Sequence, residues 1–220
     1  MATEIALIRH GHAVRINGDY IKAPLTEIGQ QQAQATGNFF FPPAHKLAAL
    51  YTSPLRRTRE TAEAIGTLLG LPISEQLGVQ EVRNRELPIL VALEFLSLFD
   101  PVEDYLDRHV GQAINWPIEG RVSKVILELV AKHPDSKVGV VTHSGIISSV
   151  LSWCLPEERW KWWRYTVGNC SITKVLFTGQ QVKVLAIDDT THLNSEIETT
   201  QPPAPAVEAV ESVHPISKTL

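Results

Sequence analysis

A short apolar run near the N-terminus breaks off into Arg9, His10 and Gly11. The run from Ile5 to Ile8 has the length and bulk of a strand that is buried on both faces. Ligands of open α/β sheets bind at the carboxyl ends of such strands, and a glycine there permits a sharp turn. The segment therefore predicts a central strand that delivers His10 to a ligand site. Taken alone, it also fits a strand followed by a polar loop with an incidental histidine.

The chain up to Leu193 alternates short apolar runs with amphipathic stretches, which indicates βα units and an α/β fold with a mostly parallel central sheet. The predicted strands are Glu4 to Ile8, Leu47 to Thr52, Lys137 to Thr142, Ser171 to Thr178 and Gln181 to Ile187. The predicted helices are Glu27 to Phe40, Leu55 to Leu69, Val122 to Lys132 and Ile146 to Leu155. A hairpin at Thr178, Gly179 and Gln180 would place an antiparallel strand at the sheet edge.

Two segments depart from this alternation. Residues 80–117 contain a long apolar stretch outside the regular pattern, and we interpret them as a helical insertion over one edge of the site. Residues 194–220 contain a Thr-, Pro- and Ala-rich stretch whose composition is typical of disordered chain. The sequence thus predicts one catalytic domain over residues 1–193, with the insertion inside it and a disordered, dispensable tail behind it.

The composition indicates the class of protein and its cellular location. The 220 residues are 44% hydrophobic, and no apolar stretch is long enough to cross a bilayer. No secretory signal is visible, so we expect a cytoplasmic protein. Cys154 and Cys170 are too few for a disulfide framework, and we expect both to be reduced and structural. A net charge of −4 gives no general attraction to nucleic acid or to an anionic membrane.

A second informative segment places three arginines at the start of a helix. Arg56, Arg57 and Arg59 follow a strand end and a Ser-Pro pair. A helix N-terminus carries partial positive charge and disfavours cations by about 0.3–1 kcal/mol each, so the cluster indicates a bound anion. Only one side of the turn can face the site, and we assign that side to Arg57. Arg56 and Arg59 are expected to extend into solvent.

The third segment repeats the geometry of the first. A buried strand from Val138 to Thr142 runs directly into His143 and then into a helix. A single histidine at the end of a strand commonly has no catalytic or binding function. Two parallel strands that both end in histidine, with arginines nearby, place the side chains at one rim of the sheet, and this joint occurrence favours an active site.

Four ordered segments carry a family resemblance: Leu7 to Gly11, Pro24 to Ala33, Ser53 to Ala62 and Val141 to Gly145. Together they resemble the histidine phosphatase superfamily, which includes the cofactor-dependent phosphoglycerate mutases. The resemblance covers roughly residues 4–187. It implies a three-layer α/β/α fold and a phosphohistidine intermediate.

The same resemblance implies roles for individual residues. His10 would be the nucleophile, Arg9 and Arg57 would hold phosphate oxygens, and His143 would complete the pocket. Glu81 falls where the family places its proton donor, and Glu86 is the alternative, because the residues after Glu81 depart from the family pattern. Asn17 and Thr26 are further substrate-binding candidates.

Elementary chemistry agrees with such a site. Phosphoryl transfer spreads charge over the equatorial oxygens, so it needs positioned cations and an in-line nucleophile. Arg9, Arg57 and His143 would supply the positive charge, and a neutral His10 would attack phosphorus. A carboxylic acid would protonate the leaving oxygen and later activate water. No metal or other cofactor is required, and His10 and His12 lack the further ligands of a metal site.

The residues after His10 decide between activities within the family. A mutase uses a hydroxyl at the position of Ala13, and its asparagine lies one place away from Asn17. We therefore expect a metal-independent phosphomonoesterase for small phosphorylated substrates. A phosphoglycerate mutase and a protein phosphohistidine phosphatase remain alternatives, although Ser144 and Gly145 stand where the latter has Asn-Pro. A non-catalytic phosphate-binding module is a further alternative, and the oligomeric state is open between a monomer and a homodimer.

Overall fold

The computed structural model describes residues 1–14, 22–81, 112–155, 165, 167–199 and 214–215, with backbone alone at 112–117 and 214–215. The strands are β1 (Ala2–Arg9), β2 (Ala49–Thr52), β3 (Ile73–Glu75), β4 (Lys137–Thr142), β5 (Ile172–Thr178), β6 (Gln181–Asp189) and β7 (His214–Pro215). The helices are α1 (Glu27–Phe40), α2 (Arg56–Leu69), α3 (Gln112–Lys132) and α4 (Ser144–Cys154), with 3₁₀ turns at Pro43–His45 and Leu77–Val79.

The strands form one mixed sheet in the order β3-β2-β4-β1-β5-β6-β7. Strands β3, β2, β4 and β1 run parallel to one another, whereas β5, β6 and β7 pair antiparallel. The predicted hairpin is present, because β5 ends at Thr178, β6 begins at Gln181 and Gly179 between them has a φ of +61°. The predicted α/β fold with an antiparallel edge is confirmed.

Alternate residues of β1 point into two different cores. Ile5 and Leu7 pack in the core on one face of the sheet. That core includes residues of α3 and α4: Ile118, Val122, Val125, Ile126, Leu129, Ile146, Ile147, Val150 and Leu151. Ala6 and Ile8 instead contact the core that holds Phe40 of α1 and residues of α2. Helices therefore cover both faces of the sheet, which gives the three layers expected from the resemblance.

Most predicted helix boundaries agree with the structure, and one differs by ten residues. Helix α1 has the predicted bounds, and α2 ends at Leu69 before Gly70, whose φ of +65° stops the helix. Helix α3 begins at Gln112 rather than Val122 and continues through Pro117. The sequence suggests a break at that proline, but Ile118 already belongs to the buried face of the helix, and this tertiary packing outweighs the local preference.

Strand β3 is absent from the sequence-based assignment because it is short and polar. Its three residues, Ile73–Glu75, are half-buried or exposed and pair with the edge of β2. Such a strand has no apolar alternation for a sequence pattern to detect.

Residues 194–199, assigned by sequence to the tail, pack against the domain. Ile197 is 9% exposed and lies in a buried cluster with Leu25, Ala33, Cys170 and Leu193. The expected disorder therefore does not apply to these six residues, because one apolar side chain and several hydrogen bonds hold them. Beyond them, β7 pairs with β6, and the other tail residues lie outside the described chain. The predicted insertion lies largely outside it too, at residues 82–111.

Within the described ranges, no helix has the length and apolarity needed to cross a membrane.

Candidate active site

Three neighbouring parallel strands end at the same rim of the sheet. Strand β4 lies between β1 and β2, so the residues that follow the three strands meet there. The backbone N–H of His10, after β1, donates to the Thr142 carbonyl over 3.0 Å, and that of Ser53, after β2, donates to the Val141 carbonyl over 3.0 Å. His143 follows β4 directly. The two predicted histidines are therefore adjacent, with ring centroids 5.3 Å apart.

His10 is buried and held in one tautomer. Its side chain is 2% exposed, and its Nδ1 lies 2.8 Å from the Gly11 carbonyl oxygen. A carbonyl can only accept a hydrogen bond, so Nδ1 carries the proton and Nε2 keeps its lone pair. Burial lowers the pKa of His10 well below its ordinary value of 6.5, and the charges of Arg57 and Arg9 lower it further. His10 is thus a neutral imidazole with a nucleophilic nitrogen.

Close backbone packing holds the loop after β1. A Cβ atom on Gly11 would lie 2.5 Å from the Gly29 carbonyl oxygen, and one on Gly29 would lie 2.1 Å from the His12 carbonyl oxygen. Only glycine fits at either place. The Gly11 N–H donates to the Thr61 hydroxyl of α2 over 3.0 Å, and the Thr61 hydroxyl donates to the Arg57 carbonyl. The loop that carries His10 is therefore joined to the start of both α1 and α2.

His143 is also buried and neutral. Its side chain is fully buried, and its Nδ1 lies 3.0 Å from Nη2 of Arg57. A guanidinium only donates, so Nδ1 accepts and Nε2 carries the proton, which it donates to the Ser53 hydroxyl over 2.8 Å. Burial, His10 and the arginines Arg57 and Arg9 all lower the pKa of His143. The sequence-based expectation of a cation at His143 is therefore wrong for the free protein.

Of the three arginines that begin α2, Arg57 faces the histidines. It is 1% exposed, whereas Arg56 pairs with Glu60 at 2.6 Å and is 50% exposed. Arg59 is 49% exposed and lies 3.7 Å from Glu75. The choice of Arg57 for the inner side of the turn agrees with this geometry. Its role in binding phosphate stays a prediction.

Arg9 contributes the second positive charge. Its Nη1 donates a hydrogen bond to the Val167 carbonyl, and its half-buried guanidinium lowers the pKa of both histidines. Two permanent cations thus act on two neutral imidazoles. This arrangement favours a bound anion at the rim of the sheet.

Glu81 lies beside His143. Its Oε2 is 3.8 Å from His143 Nδ1, and the side chain is 28% exposed. A Cβ on Gly145 would lie 2.9 Å from Glu81 Oε1, so the start of α4 leaves room for this carboxylate. The position suits a group that exchanges protons with a substrate and with solvent. The alternative donor, Glu86, lies outside the described residues.

The two remaining substrate-binding candidates are Thr26 and Asn17. Thr26 caps α1 by accepting a hydrogen bond from the Gly29 N–H over 3.1 Å, and its hydroxyl lies 2.9 Å from His12 Nδ1. Its observed contacts thus position helix α1 and His12, and its binding of substrate stays a prediction. Asn17 lies outside the described residues.

Several residues around the site had no role in the sequence analysis. Ser53 contacts His143, the side-chain amide of Asn169 donates to the His10 carbonyl over 2.9 Å, and Oε1 of Gln32 accepts from the His12 N–H over 2.8 Å. Gln32 offered a signal, because it lies on the buried stripe of α1 with Gly29, Ala33, Thr36, Gly37 and Phe40. A polar residue on such a stripe indicates a specific hydrogen-bond partner.

The cysteines fit the structural role expected of them. Both are buried and free. Burial raises the pKa of Cys154 far above its ordinary value and that of Cys170 to about 12, so neither thiol is a nucleophile at neutral pH. Within the described part of the chain, no three His, Cys, Asp or Glu residues form a group that could hold a metal ion.

The model of the histidine phosphatase superfamily, branch 1, matches residues 5–190. The chain belongs to this superfamily. The chain is 28% identical over 163 residues to the metal-independent phosphoserine phosphatase of Arabidopsis thaliana, covering 67% of each chain. It is 26% identical over 170 residues to phosphoglycerate mutase-like protein 4 of the same plant, covering 71% of this chain and 73% of the relative.

The fold is similar to that of a solved phosphoserine phosphatase. The phosphoserine phosphatase of Entamoeba histolytica, solved as a mutant with phosphoserine, superposes with a TM-score of 0.65 at 21% identity, over 87% of this chain and 100% of the other. The two relatives from Arabidopsis thaliana are named as a phosphatase and as a phosphoglycerate mutase-like protein, and the activity of this histidine phosphatase superfamily member is that of a phosphatase or a mutase.

Proposed function

We propose that this protein is a metal-independent phosphomonoesterase that acts through a phosphohistidine on His10. One observation carries the proposal: a buried, neutral His10 whose Nδ1 proton is held by Gly11 and whose Nε2 is unprotonated, beside two guanidiniums. The tautomer leaves a lone pair for attack on phosphorus, and the positive charge matches the charge of a phosphoryl group in transfer.

The proposed reaction has two steps. His10 Nε2 attacks phosphorus, the bond from phosphorus to the ester oxygen breaks, and Glu81 gives its proton to the departing alcohol. Water then attacks the phosphohistidine, Glu81 takes a proton from the water, and the N–P bond breaks to release phosphate and neutral His10. Arg9 and Arg57 hold the phosphoryl oxygens in both steps. His143 donates from Nε2 to Ser53 and accepts from Arg57, so it orients the guanidinium.

Hydrolysis is favoured over the mutase reaction by Ala13. A mutase must retain its dephosphorylated intermediate, and a hydroxyl at this position serves that purpose in the mutases that the sequence resembles. Here the position is occupied by a methyl group that packs against the buried cluster around Leu25, and Ala13 pairs with Leu25 in an isolated bridge. We propose small phosphomonoesters of the cytoplasm as substrates. The likeness to a phosphoserine phosphatase makes phosphoserine the first compound to test.

A phosphate-release screen tests the proposal. Phosphoserine, sugar phosphates, phosphoglycerates, nucleotides and an activated aryl phosphate are incubated with wild type after exhaustive chelation by EDTA. We expect phosphate release without a bisphosphorylated primer. Rapid quenching with a labelled substrate should trap acid-labile phosphate on the protein.

His10→Ala should abolish release and labelling. His45→Ala is a matched control, because His45 precedes β2, whereas the candidate site lies at the carboxyl ends of the strands. Ordinary turnover in His10→Ala would refute the mechanism. Interconversion of phosphoglycerates with negligible phosphate release would identify a mutase, and binding of phosphoesters without any turnover would identify a phosphate-binding module.

A further inference from the structure

The segment Asn194–Thr199 reaches the loop that carries His10 through two buried amides. The Gln32 Nε2 donates to the Ile197 carbonyl over 2.6 Å and to the Thr199 hydroxyl over 3.3 Å. The Thr199 hydroxyl donates to Asn169 Oδ1 over 3.1 Å. One hydroxyl thus bridges two amides, using its proton for Asn169 and a lone pair for Gln32.

Each amide uses its other end to hold the peptide backbone beside His10. Gln32 Oε1 accepts from the His12 N–H over 2.8 Å, and Asn169 Nδ2 donates to the His10 carbonyl over 2.9 Å. Gln32 is fully buried and Asn169 is 7% exposed. The peptide between these two anchors carries the Gly11 carbonyl, which accepts the Nδ1 proton of His10. The backbone from His10 to His12 therefore sets both the orientation and the tautomer of the imidazole.

The segment has a defined local structure of its own. The Asn194 side chain accepts from the N–H groups of Glu196 and Ile197 over 3.2 and 3.1 Å. The Thr190 hydroxyl donates to the Glu198 carboxylate over 2.7 Å. Together with the burial of Ile197, these bonds fix where the Thr199 hydroxyl lies.

We propose that Asn194–Thr199 is a positioning strap, in which Thr199 locks Gln32 and Asn169 onto the backbone on both sides of Gly11, directly after His10. Thr199 affects catalysis through the loop from His10 to His12 and does not touch the substrate. The effect on catalysis rests on the proposed function, because it assumes that His10 is the nucleophile. The effect on the loop itself does not depend on that assumption.

The test compares Thr199→Val, which removes the hydroxyl at nearly constant volume, with Thr199→Ser, which keeps it. Ser195→Ala is the control, because Ser195 is exposed on the same segment. Two quantities are measured: the solvent exchange of the His12 backbone amide by NMR, and kcat on an activated aryl phosphate. The melting temperature shows whether each variant is folded.

In Thr199→Val we expect the His12 amide to exchange about three- to tenfold faster, since one net hydrogen bond is lost from its support. We expect kcat to fall about ten- to a hundredfold with little change in KM, as misplacement of a catalytic group does. Thr199→Ser should restore both values, and Ser195→Ala should match wild type. The proposed strap would be refuted if the His12 amide exchange or kcat of Thr199→Val equalled that of wild type. It would also be refuted if Thr199→Ser did not restore both values.

The two proposals can fail separately. If His10→Ala keeps wild-type turnover, the phosphohistidine mechanism is wrong, and the His12 exchange alone then decides whether the strap exists. If His10→Ala is inactive while Thr199→Val behaves as wild type, the strap is wrong and the mechanism stands.

Discussion

Replacement of Arg57 by alanine should remove most of the activity without unfolding the protein. Arg57 is 1% exposed and donates to His143 Nδ1 over 3.0 Å, and its charge lowers the pKa of His10. The guanidinium is therefore fixed before a substrate arrives. Removal of one such preorganised donor costs about 3–4 kcal/mol of transition-state stabilisation, which is roughly a hundred- to a thousandfold in kcat.

Arg56 provides the matched control on the same turn of α2. It is 50% exposed, and its contact is an i,i+4 pair with Glu60. Exposed pairs of this kind contribute about 0.3–0.5 kcal/mol to stability. Because Arg56 extends into solvent and Arg57 is the arginine that faces the histidines, Arg56→Ala should keep kcat within about twofold of wild type. Arg57→Lys should lie between the two, because an ammonium keeps the charge but loses the planar fork of donors.

The assay is phosphate release from an activated aryl phosphate at saturating substrate, with melting temperatures for all three variants. NMR titration provides a second readout. The charge of Arg57 lowers the pKa of His10 and His143, so both pKa values should rise in Arg57→Ala. A loss of activity below about threefold in Arg57→Ala, or an equal loss in Arg56→Ala, would refute the reasoning, since a preorganised donor contributes far more than a solvated one.

Two further predictions follow from the same geometry. In the folded protein, the pKa values of His10 and His143 lie below 6.5, their ordinary value. As the pH falls through 6.5, these two histidines therefore bind protons in the unfolded chain but not in the folded one. The free energy of unfolding should therefore fall from pH 7.5 to pH 5.5, and it should fall less in His10→Ala than in wild type. Urea denaturation of both proteins at both pH values measures the fall. An equal fall in wild type and in His10→Ala would contradict the prediction. Glu81→Gln should slow alkyl phosphate hydrolysis about 10²–10⁴-fold while the first step still occurs on an aryl phosphate, whose leaving group needs no proton. Burst kinetics on both substrates separates these steps, and wild-type alkyl turnover in Glu81→Gln would transfer the proton-donor role to Glu86.

The elements with strong local signals could be predicted from the sequence. Strand β1 is recognisable because four apolar residues precede Arg9, and α1 because its buried positions recur with helical spacing. The elements that the sequence misplaced have weak or conflicting local signals. Strand β3 is too short and polar to show a period, and the start of α3 is masked by Pro117.

Some features of the candidate site could likewise be predicted from the sequence, and others could not. The side chain of Arg57 could be chosen over Arg56 and Arg59 because one face of a helical turn points inward. The neutrality of His143 could not be predicted, because it depends on burial and on two arginines from distant parts of the chain. A lone residue in a sequence carries no information on its dielectric environment.

The sequence by itself determined the sheet-and-helix pattern, the two histidines at strand ends and the arginine turn, because these depend on periodicity within a few neighbouring residues. Tertiary structure alone decided the tautomers of His10 and His143 and the link from Thr199 to the nucleophile's loop. Gln32 and Thr199 are 167 positions apart, yet their side chains lie within hydrogen-bonding distance. Contacts of that kind arise when separate elements pack together, and hydrogen bonds and burial in the packed state set protonation and orientation.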